Sequence, residues 1–127
     1  MEIQFAPDVK KRIVQIVKSM PPFDYVDTSR IICMRSTKAT SRARARIWSF
    51  PHIWQMALAL PSYYVIEVLS QYFDRMSSED QTRVLIHELM HIPKNFSGAL
   101  VPHHGIHKKI NSRTVEELYR VYMKSNG

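Results

Sequence analysis

The stretch SSEDQTRVLIHELMHIP, residues 77–93, decides the fold because it predicts a helix with a defined start and a defined stop. Ser77 followed by Asp80 three residues later is the pattern of a capped helix N-terminus. Pro93 removes a backbone donor and disfavours the helical conformation at Ile92, so the helix should end there. Between these signals the apolar residues form two adjacent rows, which predicts a central, largely buried helix. The rows consist of Leu85, Leu89 and Ile92, and of Ile86 and Met90.

The remaining face of this helix carries the pattern H-E-x-x-H, formed by His87, Glu88 and His91. Two histidines one turn apart point the same way and can bind one Zn²⁺, while the glutamate acts as general base on a water molecule. Burying a carboxylate with two imidazoles is unfavourable unless something pairs them. The pattern therefore predicts a zinc site, and the plainer alternative is a pair of core histidines with a surface glutamate.

A third ligand is needed, because a catalytic zinc normally takes three protein ligands and leaves one position open. The metzincin pattern is excluded, since Lys94 and Ser97 stand where it requires Gly and His. Glu116 or Glu117 of a later helix could serve as a carboxylate ligand. Three histidines lie closer in a loop that can fold back over the helix, and one of them is favoured: His103, His104 and His107.

The segments around the central helix predict an α+β fold with a small, mostly antiparallel sheet, in a single domain over residues 1–127. Helical periodicity predicts an N-terminal helix over residues 6–20 and a C-terminal amphipathic helix over residues 112–126. Strands are predicted over residues 29–36 and 43–50. Two further apolar runs, residues 52–60 and 63–69, flank a Pro-containing turn and predict a second pair of strands that could form a hairpin.

Basic residues are concentrated between Arg35 and Arg46, where five Arg or Lys residues occur without one acid in a chain of net charge +7. Such a run can bind nucleic acid or another polyanion through counterion release, or it can be a solvated loop that leads into a strand. The solvated loop is favoured. Arg42, Arg44 and Arg46 alternate with apolar residues, which predicts that three guanidinium groups line one sheet face.

The composition predicts a packed chain that acts inside the cell. The hydrophobic fraction is 45% with three Gly, and no segment has the apolar length of a membrane helix or the pattern of a signal peptide. We therefore expect a cytoplasmic protein with no membrane contact. Cys33 stands alone, which excludes an intrachain disulfide and a multi-cysteine zinc site.

The run from Tyr63 to His103, within residues 47–122, resembles a family of metallopeptidases found in archaea and in phages or other viruses. Its members look like minimal zincins, with the pattern H-E-L-x-H-I-P followed by F-x-G-x-L-x-P-H. The resemblance implies a zincin-like fold, a peptide or protein substrate, a Zn²⁺ bound by His87, His91 and His103, and Glu88 as the base. A weaker likeness to SprT-like proteases, some of which act on DNA-bound proteins, rests on the pair His104-Gly105 and favours His104.

Two functions follow from these patterns. The first is hydrolysis of a peptide bound along an edge strand, with residues 44–50 and 63–69 as candidate strands. His107, Tyr119 and Tyr122 are candidates to stabilise the oxyanion. The alternative is a zinc-stabilised module without hydrolytic activity that binds nucleic acid through Arg42, Arg44 and Arg46. Glu88 discriminates between them, because a structural zinc site has no use for a carboxylate beside its first ligand.

Overall fold

The computed structural model of the chain describes residues 1–105 and 109–126 and has an α+β architecture. A four-stranded sheet packs against helices that precede and follow its central strands in the chain. The elements in chain order are β1 (Glu2–Phe5), α1 (Pro7–Ser19), β2 (Ile31–Thr37), β3 (Ala45–Trp48), α2 (His52–Leu58), β4 (Tyr64–Leu69), α3 (Ser70–Phe73), α4 (Ser78–Met90) and α5 (Ser112–Asn126). Short 3₁₀ turns at Pro21–Phe23 and Thr28–Arg30 connect α1 to β2.

The sheet has the strand order β1-β2-β4-β3. The central pair β2–β4 is parallel, whereas β1–β2 and β3–β4 are antiparallel, so the sheet is mixed. Because β4 lies between two neighbours, β3 and β1 are the edge strands. Alternate residues of β2 and β4 are buried in one core with the apolar faces of α1 and α4. The buried strand residues include Ile31, Cys33, Ile66 and Val68.

The three predicted helices are present. The Ser77 side chain accepts a hydrogen bond of 3.1 Å from the backbone N–H of Asp80 and begins α4, as the cap pattern predicted. The helix ends at Met90, and its C-cap, His91, lies two residues before Pro93. Both predicted apolar rows of α4 are buried. None of the helices in the described part of the chain has the length and apolarity that a membrane span requires.

The prediction of a strand over residues 52–60 is wrong, and so is the hairpin with residues 63–69. Residues 52–58 form α2, which ends where Ala59 adopts a left-handed conformation. A short apolar run without alternation does not separate strand from helix, and Gln, Met, Ala and Leu all favour a helix. No residue of α2 is buried. Strand β1 was missed, because all four of its residues are exposed and its pattern is short.

The prediction that three arginines line one sheet face is also wrong. Strand β3 begins at Ala45, so only Arg46 lies in the sheet, while Arg42 and Arg44 belong to the preceding loop. Strand β3 begins no earlier than Ala45 because its partner strand, β4, ends at Leu69 and α3 follows directly. One last hydrogen bond, from the Leu69 N–H to the Arg44 carbonyl at 3.0 Å, ties the loop to the end of β4.

Candidate active site

A cavity of about 780 Å³ opens beside the last turns of α4. Its walls come from α4, from β3 with the loop before it, and from the segment that follows α4. The lining combines apolar, basic and metal-ligating side chains. The residues are Arg42, Ala43, Arg44, Ala45, Arg46, Ile47, Tyr72, Val84, His87, Glu88, His91, Leu100 and His103.

The polar face of α4 turns toward this cavity because its apolar rows are packed in the core. His87 is half-buried, and Glu88 and His91 are each only 7% exposed. The helical repeat places His87 and His91 one turn apart, and their ring centroids are 5.2 Å from each other. The helix therefore presents two imidazoles and one carboxylate at the same end of the cavity.

The segment after α4 folds back and brings a third ring to this pair. The Val101 N–H donates to the His91 carbonyl at 2.7 Å, and the His91 Nδ1 lies 2.6 Å from the Val101 carbonyl. Two residues later, His103 places its ring centroid 4.5 Å from that of His91. The Nε2 atoms of His87 and His103 are 3.1 Å apart. The returning loop thus completes a cluster of three imidazoles.

Tyr64 of β4 and Gly98 hold the middle of this loop in place. The Tyr64 hydroxyl accepts a hydrogen bond of 2.8 Å from the Gly98 N–H and donates one of 2.7 Å to the Ala99 carbonyl. The Phe50 N–H donates to the Gly98 carbonyl at 2.8 Å. Gly98 has φ +94, and a Cβ built on it would lie 2.4 Å from the Phe50 carbonyl oxygen. Only glycine fits this position.

A family model described as "Putative phage metallopeptidase" matches residues 1–125 of the chain. The chain belongs to this family. Comparisons with curated proteins and with solved structures found no match. Membership confirms the resemblance noted in the sequence. The description of the phage metallopeptidase family implies a peptidase that uses a metal ion and acts on a peptide or protein substrate.

The three histidines of this family member fit the metal ion that the family implies. One ligand nitrogen from each of His87, His91 and His103 lies within 4.8 Å of the other two. Two nitrogens bound to one tetrahedral Zn²⁺ at about 2.0–2.1 Å are roughly 3.3 Å apart, close to the 3.1 Å between His87 and His103. Donation from His91 Nδ1 to the Val101 carbonyl leaves Nε2 to carry the lone pair, which is a common arrangement in metal-ligating histidines.

Burial shifts the titration of the helix residues in opposite directions. Burial, together with His91 and His103, lowers the pKa of His87 to about 4, so its ring stays neutral near pH 7. Burial alone raises the pKa of Glu88 to about 8. A cation beside this carboxylate lowers its pKa again, since an opposite charge favours the ionised form. A bound metal ion is therefore compatible with both groups, because the neutral ring of His87 can act as a ligand and the ion favours the ionised form of Glu88.

The other candidate ligands are engaged elsewhere or lie outside the described residues. His104 lies outside the cluster and forms an isolated β-bridge with Lys109. Glu116 accepts from Arg83 at 2.9 Å, and Glu117 lies 3.5 Å from Arg113. His107 falls within residues 106–108, which are not described. Among the described residues, only His87, His91 and His103 form such a group.

Two of the candidates for the oxyanion, Tyr119 and Tyr122, are not among the lining residues of the cavity, and the third, His107, lies outside the described residues. Tyr119 is 8% exposed beneath the guanidinium of Arg83, and Tyr122 packs against the core. Sequence reasoning missed Tyr72 of α3, whose ring lines the cavity with 37% of its surface exposed. No periodicity marks Tyr72, because α3 spans only the four residues Ser70–Phe73. Only the turn from β4 into α3 brings this phenol to the site.

Proposed function

We propose that the chain is a zinc-dependent peptidase with a zincin-like site, in which His87, His91 and His103 hold the ion and Glu88 is the general base. The observation that carries this proposal is the convergence of three imidazole nitrogens beside a buried carboxylate in one cavity. The family's description supports the reaction class. The donor set supports zinc, since neutral imidazoles suit this ion.

The surroundings of Glu88 support the proposed role in proton transfer. Its carboxylate makes no hydrogen bond or ion pair with another of the residues described, although 7% of its surface remains exposed in the cavity. A Zn²⁺ held by His87, His91 and His103 would supply a Lewis acid and would lower the pKa of a water molecule. Glu88 then accepts the proton of the attacking water and delivers it to the leaving amine.

The number of ligands supports a catalytic site over a structural one. The described residues supply three candidate ligands, and a catalytic zinc keeps its fourth position open. A zinc-stabilised module without activity closes that position with a fourth protein ligand. Such a module also has no role for Glu88. Burial of this carboxylate costs free energy unless a cation or a hydrogen bond compensates it. We therefore place the non-catalytic module that binds nucleic acid second.

The sheet topology supports one substrate-binding strand. Of the two strands considered from the sequence, β4 lies inside the sheet and has both edges paired, whereas β3 is an edge strand that lies against α4. An extended peptide can add to the free edge of β3 and place a carbonyl near the histidines. Tyr72 lines the same cavity and can donate its O–H to the oxygen on which charge develops.

Two measurements test the function. Elemental analysis of untagged protein should find about one Zn²⁺ per chain. Glu88→Gln keeps the size of the side chain but removes the base, so zinc should remain bound while cleavage of unfolded protein falls by a factor of about 10² to 10⁴. A chain that binds no zinc when supplied with it would contradict the proposal. Equal cleavage by wild type and Glu88→Gln would contradict the role of Glu88.

A further inference from the structure

Three arginines line the cavity together with the proposed catalytic residues, but they differ in what they contact. Arg46 donates to Glu67 from Nε at 2.8 Å, and its guanidinium lies 5.2 Å from the Trp48 ring centroid. Glu67 is its direct cross-strand neighbour and is 3% exposed. The charge of Arg46 is therefore compensated within the protein.

Arg42 and Arg44 have no such partner. Both side chains are exposed, and neither forms a hydrogen bond or ion pair through its guanidinium with another residue in the described part of the chain. Their backbone is held, because the Arg44 carbonyl accepts from Leu69 and the Ala43 N–H donates to the Ser41 hydroxyl at 3.1 Å. Two uncompensated cations thus belong to an anchored loop that lines the cavity.

Glu88 is the only acidic residue among the described lining residues, so no other carboxylate of the lining can compensate the charges of Arg42 and Arg44. The remaining walls near the histidines are apolar and include Ile47, Val84 and Leu100. This combination suits a ligand with an apolar body and a localised negative charge. A guanidinium binds a carboxylate through two parallel hydrogen bonds, which gives both affinity and geometric selectivity.

We infer that Arg42 and Arg44 form an anion subsite of the cleft, which selects peptide substrates with Asp or Glu side chains close to the scissile bond. The inference rests on the proposed peptidase function and adds its substrate class. Residues 42–44 directly precede β3 in the chain. A peptide that pairs with the free edge of β3 therefore extends past the two guanidinium groups while its carbonyl approaches the histidines.

An acidic peptide fits this site better than a nucleic acid. Sequence-independent binding of nucleic acid depends on many phosphate contacts, commonly six to ten, whereas this part of the cavity offers two free guanidinium groups. Single-stranded nucleic acid also needs aromatic platforms on which bases stack. Apart from the three histidines, Tyr72 is the one aromatic residue among the described residues of the lining.

Binding and cleavage, measured separately, test the subsite. Zinc-loaded Glu88→Gln protein would be titrated into two fluorescein-labelled peptides that differ only in carrying Glu or Gln at alternate positions. We expect the Glu peptide to bind roughly tenfold more tightly. Arg42→Gln with Arg44→Gln should abolish that preference. The matched control, Arg113→Gln with Arg120→Gln, removes the same charge from exposed positions of α5 outside the cleft and should retain it.

Charge reversal gives a result that misfolding cannot imitate. Arg42→Glu with Arg44→Glu should shift the preference to a peptide with Lys at the alternate positions, in binding and in cleavage by the protein with Glu88 intact. A preference for Glu that survives both double variants would overturn the inference. So would tighter, Arg42-dependent binding of single-stranded DNA. Zinc content tests the proposed function separately. A chain that holds zinc and cleaves both peptides equally would contradict only the inferred anion subsite.

Discussion

His91 and Val101 are joined by two hydrogen bonds, one from the Val101 N–H to the His91 carbonyl and one between His91 Nδ1 and the Val101 carbonyl. The first ties the returning loop to the end of α4, and the second orients the imidazole. This pair of residues therefore fixes both the orientation of the His91 ring and the path of the loop that carries His103.

Replacing His103 should weaken zinc binding far more than replacing its neighbour. Loss of a supporting hydrogen bond to a ligand commonly lowers metal affinity by about 10–100-fold, so loss of the proposed third ligand in His103→Ala should exceed that range. His104→Ala is the matched control, since His104 lies outside the cluster. Competition with a chromophoric chelator measures both affinities. A larger loss in His104→Ala would reassign the third ligand.

Tyr64→Phe should loosen the loop without disturbing the helix pair. The change leaves the Gly98 N–H and the Ala99 carbonyl without their hydroxyl partner, which costs about 1–3 kcal/mol of unfolding free energy. We expect zinc affinity to fall as well, because the same loop carries His103. Tyr63→Phe is the control, since no described residue is hydrogen-bonded to the Tyr63 hydroxyl. Similar zinc affinities in the two variants would disprove the coupling.

Gly98→Ala should damage the site although it adds only one methyl group at a buried position. The new Cβ would meet the Phe50 carbonyl at 2.4 Å in a left-handed backbone, so the loop must shift. Asn95→Ala changes an exposed residue of the same loop whose side chain makes no hydrogen bond with another described residue, and it should leave zinc affinity nearly unchanged. Zinc titration of the two proteins under one buffer condition makes the comparison. An unaffected Gly98→Ala protein would mean that the loop path is not needed for binding.

Arg46→Gln should lower stability, whereas Arg42→Gln and Arg44→Gln should not. Removing Arg46 leaves the buried Glu67 carboxylate without its cation. The expected loss is about 1–3 kcal/mol, below the range for fully buried pairs because the guanidinium is 34% exposed. Urea unfolding of the three variants measures the difference. Equal stabilities would show that the Arg46–Glu67 pair contributes little.

The same pair predicts a dependence of stability on acid pH. Burial opposes ionisation of Glu67, but hydrogen bonds from Arg46 and Trp48 outweigh it, and the pKa of Glu67 lies below its ordinary value of 4.5. The stabilisation is therefore complete above about pH 4.5 and is lost as the pH falls through the lowered pKa. Unfolding free energies of wild type and Glu67→Gln across this interval should differ by less as the pH falls. A constant difference would exclude the linkage.

Helices with clear signals at both ends were predictable from the sequence, and elements without them were not. Ser77 and Pro93 bracket α4, and the amphipathic repeat of α5 marks its full length. The run that forms α2 lacks any periodicity that separates helix from strand, because none of its residues faces the core. Local patterns therefore failed where burial was absent.

The candidate site was likewise predictable from the sequence only in part. His87, Glu88 and His91 belong to one helix, so their mutual placement follows from helix geometry alone. The position of His103 relative to His104 depends on where the loop is tied to α4, a tertiary contact that spacing does not reveal. Tyr72 reaches the cavity only through the turn from β4 to α3.

The loop that returns to α4 also has a kinetic consequence. Two of the proposed ligands are fixed on a helix packed in the core, while the third depends on a segment held by Tyr64, Phe50 and Val101. The ion should therefore escape in steps, beginning when the loop opens, and its residence time should follow the opening free energy of that segment. Amide hydrogen exchange at Gly98 and Val101 would then slow when the ion is bound, while exchange in the middle of α4 would change little.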